Sequence, residues 1–147
     1  MTMHVSLTDQ SLASGAVDAR TEQIAAIVGA ELVLSSTGGS LTADGTEQTL
    51  VIISEPLGCW HPMVLWVDLD NMVAGDSTTL RVYYRLSDGG ALKLWDSQVF
   101  AGPDGGLVNL AKLLDIELHP NRHGLQVTLE QTAGTYRVYP WEFIAEV

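Results

Sequence analysis

Along residues 78–86, "TTLRVYYRL", apolar and polar side chains alternate. Leu80, Val82, Tyr84 and Leu86 share one parity, and Arg81, Tyr83 and Arg85 the other. A period of two predicts an antiparallel strand with one face buried and one wet. "GLQVTLEQT", residues 124–132, repeats the pattern, with Leu125, Val127 and Leu129 inward and Gln126, Thr128 and Glu130 outward. Further strands are predicted at "SLTA", "QTLVIISE", "MVLWVDL", "ALKLWDSQVF" and "TYRVYPWEFIAEV". Gly106–Leu118 is compatible with a strand pair or a short helix, and is read as strand.

The breaks between these runs are turn residues. Asp44-Gly45-Thr46 separates two runs, and Asp88-Gly89-Gly90 joins two more in a predicted hairpin. Glycine there accepts the positive φ that tight turns require. Ala133-Gly134 is read as a third turn, closing a "VTLEQTAGT" hairpin. Seven or eight short strands with regular turns predict an all-β, antiparallel, jelly-roll-like β-sandwich. A different two-sheet topology or a small barrel has the same periodicity.

Before residue 35 the period changes. In "SGAVDARTEQIAAIVGAEL", Ile24 follows Val17 by seven residues, and Ile27 and Val28 follow Ile24 by three and four. That spacing is one stripe of a helix. Asp18 and Glu22 lie where the helix dipole favours acids, and Gly29 lies where a helix ends. So narrow a stripe is marginal by itself. The expected organisation is an N-terminal arm or helix over 1–35 and a sandwich over 36–147, with Val17, Ile24, Ile27 and Val28 as oligomer or anchoring contacts.

The 147 residues carry 18 acidic and 7 basic side chains, a net charge of −11. That sign opposes binding to phosphate backbones and anionic bilayers. Cys59 is the single cysteine and has no intramolecular partner, so a reducing cytoplasm is expected. The first residues lack the basic and apolar regions of a secretory signal.

His119 and His123 in "HPNRHG" stand four apart, but Pro120 and Gly124 favour a turn over a metal-binding helix. Asp68, Asp70, Asn71 and Asp76 supply oxygen donors without calcium-loop spacing, and read as a strand end and an Asx turn. Cys59 and His61 are near neighbours but lack an orienting third group. No phosphate loop, CxxC or GxSxG occurs. Neither catalytic residues nor a metal or other cofactor are therefore expected. Among the aromatics, Trp66 and Trp141 read as core, whereas Tyr83 and Trp95, on neighbouring strands, are candidates to face a ligand together.

"GSLTADGTEQTL", the "DL-NM-GD" corner within residues 66–96 and "VTLEQTAGT" within residues 124–143 occur in order. Together with the helical lead-in "DARTEQIAAIVGAEL", they resemble small β-sandwich virion-associated proteins of tailed phages and related viruses. The resemblance spans roughly residues 15–147. It implies a non-enzymatic capsid decoration, head-fibre or minor structural protein, commonly a homotrimer, assembled in the host cytoplasm and located in the virion. Its implied partner is the major capsid protein or another virion component, and the acidic charge keeps nucleic acid and membrane out of the expected partners. The competing expectation is a carbohydrate-binding or adhesin module that uses Tyr83 and Trp95.

Overall fold

The computed structural model describes residues 33–54, 61–102 and 113–146. Those residues form eight antiparallel strands and no helix. The helical stripe of Val17, Ile24, Ile27 and Val28 lies outside them, as does Cys59. The strands are β1 (Leu34–Thr42), β2 (Gln48–Ile53), β3 (His61–Asp68), β4 (Ser77–Tyr84), β5 (Lys93–Ala101), β6 (Leu113–Glu117), β7 (Leu125–Ala133) and β8 (Val138–Glu146). β1 therefore begins two residues before the expected start of the sandwich at residue 36.

Sheet A has the order β1-β8-β3-β6 and sheet B the order β2-β7-β4-β5. The pairs β1·β8, β2·β7, β3·β6 and β4·β5 are what one long hairpin makes when it is rolled up. Rolling adds the contacts β3·β8 and β4·β7. This is jelly-roll order, and it settles which of the topologies with the same periodicity is built. Among the described residues, only β4 and β5 are sequential strands that also pair. The Ala133-Gly134 turn closes no hairpin, because β7 belongs to sheet B and β8 to sheet A. A local alternation says which face is apolar, not which sheet a strand joins.

The core is filled from both sheets at the inward parity. Leu65 and Val67 of β3 and Tyr139 of β8 meet Leu125, Val127 and Leu129 of β7, with Leu80, Val82 and Tyr84 of β4 beside them. All of these are buried, as the alternation in β4 and β7 predicts, but Leu86 lies beyond β4 and is exposed. At β1, Gly38 passes so close to its neighbour that an added Cβ would stand 2.8 Å from the Trp141 carbonyl oxygen. Pro140 lies one residue past the last β3·β8 pair, where that ladder has already ended, so its missing N–H removes no bond from it.

Candidate functional site

At one end of the sandwich a polar cluster ties distant segments together. Asp76, just before β4, is buried. Its Oδ2 accepts from the Val73 N–H at 2.9 Å and from Arg137 Nε at 2.8 Å, and its Oδ1 accepts from the Thr135 N–H at 3.1 Å. Burial opposes ionisation of this carboxyl. The hydrogen bonds from Arg137 and Val73, with the arginine charge, outweigh it and hold the group below its ordinary value. Gly134 turns at φ 87°, and a Cβ there would overlap the Asp76 carboxylate. The position thus needs glycine for both conformation and space. Next to it, Thr78 Oγ1 and the Tyr139 hydroxyl are 2.8 Å apart, and that hydroxyl donates to Gln131 Oε1 at 2.9 Å. Asn71 Nδ2 donates to the Val138 carbonyl. Two of the carboxylates of "DLDNMVAGD" thus serve the fold, Asp76 in this cluster and Asp68 by accepting from the Asp70 N–H in an Asx turn.

On the outer face of sheet B a second cluster ties neighbouring strands together. Glu47 Oε1 accepts from the Tyr83 hydroxyl and from Thr128 Oγ1, both at 2.6 Å. Arg81 Nη1 lies 3.4 Å from Glu47 Oε2 and 2.7 Å from Glu130 Oε2. Partial burial raises the Glu47 carboxyl, but the bonds from Thr128 and Tyr83 and the charge of Arg81 prevail and lower it. This canopy buries Thr79 and Thr128 although both belong to the outward parity.

Tyr83 is therefore committed to Glu47, and it does not share a face with Trp95. Val82 pairs with Asp96 but Tyr83 pairs with Leu94, so Trp95 is the extra residue of a bulge. The bulge moves Trp95 to the Tyr84 side. Its indole is edge-on to Tyr84 at 6.1 Å and to His119 at 5.5 Å, while 64% of its surface stays exposed. His119 donates its backbone N–H to the Tyr84 hydroxyl, and His123 donates its own to Asn121 Oδ1, which makes "HPNRHG" a turn as expected. Among the described residues no three of His, Cys, Asp and Glu are grouped as metal ligands.

The outer face of sheet A is different. Gly38, Glu142, Trp66 and Asp115 form one row across the four strands. The adjacent row is Ser36, Ile144, Val64 and Glu117. Trp66 is thus outward and half-buried, not core, because Leu65 and Val67 on either side take the inward positions. The signal that marks it is its shared parity with Asp68. Trp141 has the inward parity and packs half-buried against the core. A groove of about 450 Å³ on this side is lined by Trp66, Asp68, Leu113, Pro140, Trp141 and Glu142. Strands β1, β3, β6 and β8 carry Asp68, Asp115, Glu117, Glu142 and Glu146 without one lysine or arginine. A smaller cleft of about 190 Å³ lies between the sheets beside β5 and β6, bounded by Leu80, Val82, Phe100, Leu114 and Ile116, with Asp96 and Gln98 at its rim.

No protein-family model matches the chain, and no curated protein does.

Proposed function

We propose that the protein is a non-enzymatic structural component of a virus particle. It acts as a capsid decoration or a minor capsid or fibre protein that binds the particle surface as a homotrimer. One observation carries the reading. Two of the segments that resemble such proteins meet in one structural unit, in which the "DL-NM-GD" corner supplies Asp76 and the "QTAGT" segment supplies Gln131, Gly134 and Thr135 around it. The resemblance therefore includes residues that build one corner of the jelly roll. The virion exterior is the location proposed, after assembly in host cytoplasm, and residues 1–35 are the segment proposed to trimerise or to reach neighbouring subunits. Linking three modest contacts makes attachment durable without any one being strong.

The test is mass spectrometry of gradient-purified particles from cells that carry the encoding genome, with light scattering of the free protein. The chain at a fixed ratio to the major capsid protein, and a trimeric mass in solution, are expected. Particles that lack it would overturn the reading. The exposed Trp95 supports the second reading, a carbohydrate-binding or adhesin module. Binding on a glycan array that disappears in Trp95→Ala is its expected result.

A further inference from the structure

We propose that the outer face of sheet A docks a basic protein segment that presents arginine or lysine beside apolar side chains; this rests on the particle-protein reading and names the face that meets the neighbour. Trp66 sits in the middle of the face, with Glu142 on the adjacent strand to one side and Asp115 to the other. A guanidinium or ammonium over the indole meets the negative ring face, and the two carboxylates are placed to accept its hydrogen bonds. Around that point Val64, Ile144, Pro140 and the exposed Leu113 supply apolar surface. A bare cation would leave this surface wet, whereas a peptide with alternating basic and apolar residues covers both kinds of area.

Charge decides between occupants. Asp115, Glu117 and Glu142 have no lysine or arginine partner among the described residues, in contrast to Glu47, Glu130 and Asp76. Apposing the same face of a second copy would set these carboxylates against themselves. Residues 1–33 carry Asp9, Asp18, Glu22 and Glu31 against Arg20, so the chain's own N-terminal segment has the wrong sign. Nucleic acid has it too. A basic partner protein is the occupant that the face complements.

The experiment is NMR titration of the full-length ¹⁵N-labelled protein with the synthetic peptide acetyl-Gly-Leu-Arg-Leu-Arg-Gly-amide. Shifts of the Trp66 indole N–H and of β3, β6 and β8 amides are expected, and they weaken as salt shortens the reach of the charges. The Glu142→Gln/Asp115→Asn variant loses about fivefold in affinity, while Glu130→Gln on the opposite face retains it. No shift at millimolar peptide, shifts confined to sheet B, or undiminished affinity in the double variant would each overturn the proposal. A disaccharide that shifts Trp66 where the peptide does not would also overturn it, and would give the groove to a carbohydrate. Cosedimentation with particles separates the two readings. Full particle association by the double variant removes the docking face alone, whereas peptide binding by a protein absent from all particles removes the particle assignment alone.

Discussion

The sandwich treats its carboxylates in two ways. On the outer face of sheet B and at the Asp76 corner, Glu47, Glu130 and Asp76 each lie against an arginine, and Glu47 and Asp76 also take hydroxyl or backbone donors. On the outer face of sheet A, Asp115, Glu117 and Glu142 surround Trp66 with no arginine or lysine among the described residues to pair with. The first arrangement spends its polar groups on holding strands together. The second leaves them available, on strands whose inward residues already supply the core. A protein whose acidic residues served only solubility would not need to separate them in this way.

The contrast can be broken most severely at Arg137. Arg137→Ala leaves the buried Asp76 carboxylate without its cation, and a loss of about 3 kcal/mol is expected in denaturant unfolding. Arg81→Ala comes next. It leaves Glu47 and Glu130 close together and uncompensated on a half-exposed face, at about 1 kcal/mol. An unchanged midpoint in either variant would mean that the matched carboxylates are decorative too.

Acid should weaken the matched region as well. The Asp76 and Glu47 carboxyls are held below their ordinary values in the fold. Their stabilisation is therefore complete above the unfolded carboxylate value of about 4 and is lost as pH falls through the lower folded values. Unfolding midpoints measured from neutral pH downward are expected to drop in that acidic window. Asp76→Asn should start from a lower stability and show a flatter decline. The smallest effect is expected on sheet A, where Glu142→Gln/Asp115→Asn/Glu117→Gln changes stability by no more than about 0.5 kcal/mol and in the stabilising direction, since it relieves like-charge repulsion. A clear destabilisation would mean that those carboxylates have structural partners.

Much of the fold was legible in the chain. Period-two alternation in residues 78–86 and 124–132 placed Leu80, Val82, Tyr84, Leu125, Val127 and Leu129 inside, where they are. Asp88-Gly89-Gly90 marked the hairpin between β4 and β5, and Gly89 turns at φ 62°. These features are local, because alternation and turn chemistry depend on residues a few positions apart. The same locality explains the errors. Nothing near Trp95 announces the bulge that takes it from the face of Tyr83 to that of Tyr84, since a bulge is a property of two paired strands. The apolar neighbours of Trp66 suggest a core position, although its parity with Asp68 points outward.

By itself, then, the sequence determined strand identity, inward and outward parity in the best-patterned strands, the tight turns and the acidic balance, all set within short stretches of chain. Tertiary structure decided the sheet to which each strand belongs and the pairing of Asp76 with Arg137 and of Arg81 with Glu47 and Glu130. It also decided that Asp115, Glu117 and Glu142, without an arginine or lysine partner among the described residues, share a face with Trp66. Those outcomes follow from register between strands tens of residues apart, and an ion pair across such a separation forms only after the roll has closed.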